Sequence, residues 1–83
     1  MSYVFKVDKS RCTLVNCDEQ EVTRFVGDDV ELLRKEVRSY AQQLSIALGP
    51  VFHIIVRQWS KGLGQWITRY DFQAGYDHMS NGR

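Results

Sequence analysis

The sequence predicts an α+β domain, an antiparallel sheet of about four or five strands with one long helix packed on one face, in the order β-β-(β)-α-β-β. Three observations carry this. Residues 29 to 48 hold an apolar stripe of helical period between a capping signal and a Gly-Pro stop. Two alternating runs joined by a glycine-rich loop follow it, and further alternating runs precede it.

Taken in order, "YVFKVD" sets Tyr3, Phe5 and Val7 against Val4, Lys6 and Asp8, the period of two that marks a strand. "CTLVN" alternates similarly with Cys12 and Leu14 on one side. A connection through "DKSR" would oppose Val7 to Cys12 and Phe5 to Leu14 and give one apolar face. "EVTRFV", residues 21 to 26, is β-branched and aromatic and is read as a third strand.

The helix follows. Asp28 is placed to cap its free N–H groups, and Glu31 three residues on completes a capping-box pattern. Val30, Leu33, Val37, Tyr40, Ala41, Leu44 and Leu48 form one stripe, while Arg34, Lys35, Arg38, Gln42 and Gln43 face water. Gly49 supplies a left-handed stop and Pro50 cannot continue the helix. Its length, about 30 Å, crosses a small sheet.

"VFHIIVRQW", "SKGLG" and "QWITRYDFQ" then read as a hairpin with its loop at residues 60 to 64. This register pairs Phe52 with Phe72, Ile54 with Tyr70, Val56 with Thr68 and Gln58 with Trp66 on a core face. On the other face it pairs His53 with Asp71, Ile55 with Arg69, Arg57 with Ile67 and Trp59 with Gln65. Residues 1–75 are expected to form a single compact domain, and 76–83 a flexible C-terminal tail.

Composition narrows the function. The chain has 83 residues, 43% hydrophobic and 25% charged, with a formal net charge of +1. That is ordinary globular composition and lacks the strong positive charge of a typical nucleic-acid-binding domain. Charge is uneven: residues 18 to 31 carry Asp18, Glu19, Glu21, Asp28, Asp29 and Glu31 against Arg24, while residues 51 to 73 carry Arg57, Lys61 and Arg69 against Asp71. No apolar run approaches the ~20 residues of a membrane span. The N-terminus reads as a strand rather than a signal peptide, and a cytoplasmic location is expected. Cys12 and Cys17 suit a reducing compartment. Placed in one strand they point apart, which disfavours a disulfide, and with no histidine nearby they make no zinc motif.

No residue pattern points to catalysis, a metal or a cofactor, and none of these is expected. Gly62-x-Gly64 leads into a strand, not a helix, so it fits a hairpin turn and not a phosphate cradle. His53 and Asp71 form an acid–base pair, but neighbouring Val51, Ile55, Arg69 and Gln73 supply no nucleophile. His78 falls in the tail.

The expected function is therefore that of a small non-enzymatic interaction module, an inhibitor or adaptor, with a protein partner or a second copy of the chain. One helix covers only one sheet face. The outer face of the hairpin is expected to present Trp59, Arg57, Arg69, Ile55, Ile67 and His53, with Lys61 at its loop. The bland alternative is that the remaining strands, or Tyr76 and Met79, cover this face as a second small core. Nucleic acid is the other alternative: Trp59 would stack a base, with Arg57, Lys61 and Arg69 on phosphates.

"PVFHIIVRQW", following an amphipathic helix, is similar over about ten residues to the helix–strand junction of dynein light chains. The helix pair of that family is replaced here by strands, so no site is carried over. In size and balance the chain resembles phage-encoded inhibitors of host defence, a likeness of type without a shared motif.

Overall fold

The computed structural model describes residues 2–12 and 17–77. It has the predicted α+β architecture. The strands are β1 (Tyr3–Cys12), β2 (Cys17–Gly27), β3 (His53–Ser60), β4 (Gln65–Gln73) and β5 (Tyr76–Asp77), with helix α1 (Val30–Leu48) between β2 and β3. They form one five-stranded sheet in the order β2-β1-β3-β4-β5, antiparallel throughout.

β1 extends further than its sequence suggests. The "DKSR" segment does not turn. It continues the strand, and the strand across from it is residues 17–27, so "EVTRFV" is the second half of β2 and not a third strand. Phe5 lies opposite Phe25 and Val7 opposite Thr23. Leu14, the expected partner of Phe5, lies outside the described residues. Cys12 and Cys17 do not share a strand; the backbone register sets them opposite each other at the end of the β1–β2 ladder.

The helix starts one residue later than the capping-box pattern implies. Asp29, not Asp28, is the N-cap: its carboxylate accepts from the backbone N–H groups of Glu31 and Leu32, each at 3.2 Å. Such a cap contributes about 1 kcal/mol. Asp28 instead accepts a hydrogen bond from the Ser2 hydroxyl at 3.4 Å. At the other end Gly49 adopts φ 84°, the left-handed value expected of it, and donates to the Ser45 carbonyl at 3.0 Å.

The core lies between the helix and one face of the sheet. Phe5, Val7, Ile54, Val56 and Phe72 from the strands meet Leu33, Val37 and Ala41 from the helix, with Tyr3, Phe25, Val30, Leu44, Leu48 and Tyr70 packed around them. The four-residue spacing continues to Ser45, which is fully buried; its hydroxyl accepts from the Gly75 amide at 2.8 Å. That bond removes the cost of burying the hydroxyl unpaired and fastens the β4–β5 turn to the helix. Gly75 has φ 85°, and a Cβ there would meet Ile46 Cγ1 at 2.5 Å, so the close approach requires glycine.

Two positions expected in the tail belong to the sheet. Tyr76 pairs with Gln73, and Asp77 with Phe72. Asp77 also pairs with Arg38 at 3.1 Å, whose guanidinium lies 5.5 Å from the centre of the Tyr70 ring. Arg38 is thus tied to the sheet as well as lying on the helix's polar face. His78 and Met79 fall outside the described residues.

The β3–β4 hairpin differs from its expected register. Ile54 lies opposite Phe72, and Val56 opposite Tyr70. After Val56 the register shifts, so that Arg57 faces Thr68, Gln58 faces Ile67, Trp59 faces Trp66 and Ser60 faces Gln65. Arg69 is the extra residue of this bulge, and no single register describes the whole hairpin. β2 carries a second bulge: Val7 faces Thr23 and Asp8 faces Glu21, leaving Val22 over. The tip is a four-residue loop, Lys61–Gly64, closed by Gly64 N–H donating to the Ser60 carbonyl at 2.7 Å. Of its two glycines only Gly64 needs a positive φ, at 64°.

Candidate functional site

Residues directly opposed across strands share a face, so the register decides which side chains meet. Gln58 lies opposite both Phe5 and Ile67, which puts Ile67 on the helix side. Arg69 donates from Nε to Gln58 Oε1 at 2.9 Å and so belongs to that side too. The expectation that Ile67 and Arg69 stand on the outer face is overturned by the bulge. Trp66 moves the other way: opposite Trp59, it leaves the expected core face and joins the outer one.

The outer face therefore holds Val4, Lys6, Asp8 and Ser10 of β1, flanked on β2 by Glu19, Glu21, Arg24 and Val26. On its other side stand His53, Ile55, Arg57 and Trp59 of β3, then Trp66, Thr68, Asp71 and Gln73 of β4. Most of its charges are paired with one another. Asp8 is only 2% exposed although the helix lies on the far side. Arg57 Nη1 donates to Asp8 at 2.5 Å and to Glu19 at 3.0 Å, while its Nη2 donates to the other Glu19 oxygen at 3.1 Å. Lys6 lies 3.7 Å from the same Asp8 carboxylate. This two-sided grip is the geometry in which arginine outperforms lysine.

Arg57's hydrogen bond, reinforced by its charge and that of Lys6, holds the Glu19 carboxyl below its ordinary value against the opposing effect of burial. Arg57 is itself pushed up, chiefly by its hydrogen bond to Glu19. Arg24 grips Glu21 at 2.6 and 3.1 Å, which lowers the glutamate and raises the arginine. His53 Nε2 contacts Asp71 Oδ1 as a diagonal cross-strand pair. The two were expected to be directly opposed, but His53 faces Gln73 and Asp71 faces Ile55.

At the hairpin end of this face the character changes. Trp59 and Trp66 meet edge to face, with centroids 5.3 Å apart and planes at 68°. Lys6 Nζ lies 4.7 Å, and the Arg24 guanidinium 5.3 Å, from the centre of the Trp66 ring. Both are within cation–π range. Val4 and Val26 are opposed beside them. Val26 is 63% exposed and Trp59 37% exposed. Val4, Arg24, Trp59 and Trp66 line an open recess of about 400 Å³.

The seven residues singled out from sequence thus separate. Trp59 stands at the apolar corner. Arg57, His53 and Ile55 lie along the face, the first two engaged by carboxylates and Ile55 set between Asp8 and Asp71. Ile67 and Arg69 lie on the helix side, and Lys61 in the loop. The structure adds Trp66, Val4, Val26, Lys6 and Arg24. Alternation in "YVFKVD" already put Val4 and Lys6 together; joining them to Arg24 and Val26 required the β1–β2 register.

Among the described residues, no cluster of three or more His, Cys, Asp or Glu is placed to hold a metal ion, and no helix is long and apolar enough to cross a membrane. No protein-family model, curated protein or solved structure matches the chain.

Proposed function

We propose that this chain is a small non-enzymatic interaction module that binds a protein partner through the hairpin end of its outer sheet face. The observation that carries this reading is the apolar corner of Val4, Val26, Trp59 and Trp66 on a face whose other charges are largely neutralised in pairs. A rigid aromatic pair with an apolar surround and a polar rim is the composition from which dominant binding contacts are made. Lys6 and Arg24, stacked on Trp66, supply that rim.

β4 pairs with β5 only at Phe72 and Gln73, so among the described residues its edge from Gln65 to Asp71 has no strand partner. This open edge beside the tryptophans offers main-chain hydrogen bonds to a bound segment.

The test compares Trp59→Ala with Val51→Ser, a change at an exposed site between the helix and β3. Partners captured from native cells by the unmodified protein should be lost with Trp59→Ala and kept with Val51→Ser, while both variants stay folded at the capture temperature. Equal capture by all three would overturn the reading. Light scattering across a concentration series decides whether the partner is a second copy of the chain. The nucleic-acid alternative needs Arg57 as a phosphate contact, and the carboxylates of Asp8 and Glu19 occupy it. A gel shift at low salt that disappears steeply as salt rises would favour that alternative.

A further inference from the structure

The helix does not cover the whole of its own side of the sheet. At the hairpin end of that side lies a cavity of about 290 Å³, and none of its lining residues comes from α1. Its walls include Tyr3 and Ile67, together with Val4 and Trp59, which it shares with the outer corner. Gln58, only 9% exposed, also lines it, its Oε1 accepting from Arg69 Nε. Lys61 stands beside them on the tip loop.

Two features set this cavity apart from the outer face. First, no acid lines it, although it holds two cations. Among the described residues neither Arg69 nor Lys61 takes part in an ion pair, whereas Arg57 and Arg24 are each gripped by carboxylates. The nearby Asp28 lies outside the lining and is engaged by Ser2. Second, a buried amide orients the guanidinium: with Nε held by Gln58, the two Nη groups remain as a planar fork of donors. Such a fork matches the two oxygens of a carboxylate. The bulge creates this arrangement, because Arg69 is the residue the ladder leaves over.

We propose that this cavity is a binding site for a small monocarboxylate with an apolar body. Arg69 takes the carboxylate as a charge-assisted pair, Lys61 adds positive potential at the mouth, and Tyr3 and Ile67 enclose the apolar portion. The volume is at the lower end of cavities that take small molecules, so the ligand is compact. The cavity shares Val4 and Trp59 with the apolar corner, but the assignment rests on Arg69 and Gln58 and does not depend on the interaction reading.

The experiment titrates the full chain with sodium octanoate, and in parallel with octylammonium chloride, followed by amide chemical shifts and calorimetry. Octanoate should bind with shifts centred on Tyr3, Gln58, Ile67 and Arg69, and octylammonium should not. Arg69→Gln should weaken octanoate about tenfold or more, and Lys61→Gln, a change on the exposed loop that leaves the fold intact, by a few-fold. Equal affinity for the two probes, shifts centred elsewhere, undiminished binding by Arg69→Gln in a folded variant, or no binding at millimolar octanoate would each overturn the proposal. Arg69→Gln leaves the Trp59–Trp66 pair in place, so partner capture by that variant, set beside its octanoate affinity, separates failure of this assignment from failure of the interaction reading.

Discussion

On the helix side of the sheet, Phe5, Val7, Ile54, Val56 and Phe72 are withdrawn completely from water by apolar neighbours. On the opposite side, one step along the same strands, Asp8 is withdrawn almost as fully, but by Arg57 and Lys6. One face is closed by a separate element laid across it. The other is closed in part by its own long side chains, whose stems cover the surface while their charges meet. A buried residue on this sheet therefore does not by itself identify the packed side. The same difference also explains how the middle of the outer face, between the Trp59–Trp66 corner and the exposed Tyr76, carries little bare apolar surface.

Truncation on the dry side should cost the most. Phe72→Ala removes a ring with no exposed surface and should cost about 3–5 kcal/mol, read from the urea midpoint. For a domain of this size that is a large part of the total stability. A cost under about 1 kcal/mol would mean that the helix-side core is not the main source of stability.

Asp8→Ala probes the other side. It leaves Arg57 with Glu19 alone and Lys6 without its carboxylate, and should cost about 2 kcal/mol. Arg57 and Lys6 reach partial solvent, which keeps the loss below that of a fully buried pair. Asp8→Ala combined with Arg57→Met should recover part of the loss. A double variant less stable than the single one would show that Arg57 contributes more than its charge pairing with Asp8.

Trp59→Ala should change stability by less than about 1 kcal/mol in thermal melts, because the residue is 37% exposed and lies outside the helix-side core. A larger loss would make that corner part of the core.

The smallest effect is pH-dependent. Glu19 has a lowered pKa in the folded chain, so its contribution is fully present above the ordinary glutamate value of 4.5 and is lost as pH falls through the lower folded value. Comparison with Glu19→Gln isolates it: the stability gap between the two proteins should hold from pH 7 to about 5 and close as the pH is lowered further. A gap unchanged at pH 3 would mean that Glu19 contributes no charge-dependent stability. The Glu19 side chain is 43% exposed, which keeps the effect small.

The helix was legible because its signals are local. Its stripe, its Gly49 stop and the hairpin after it all follow from residues within a few positions of one another. The cap falls one residue beyond its expected place because Asp28 and Asp29 are chemically equivalent and only the backbone distinguishes them. "DKSR" reads as a turn because its residues favour turns; Asp8 stays in the strand with Arg57, 49 positions away, as its partner. The outer corner was read only in part for the same reason. Alternation places Trp59 on the outer face correctly but Trp66 on the core face, because a uniform register does not describe a hairpin that changes register midway.

Arg69 and Val22 each stand outside the pairing of their strand. That gives the two positions a genetic consequence. Loss of the codon for Ile67 would turn one part of β4 over relative to the rest and exchange its faces. Loss of the codon for Arg69 would let Tyr70 follow Thr68 in unbroken alternation, with every remaining side chain on the face it already occupies. Reading-frame-preserving deletions along the hairpin should therefore be tolerated at codon 69 before they are tolerated at its neighbours in the paired ladder, with the fold retained and the carboxylate-binding arginine gone.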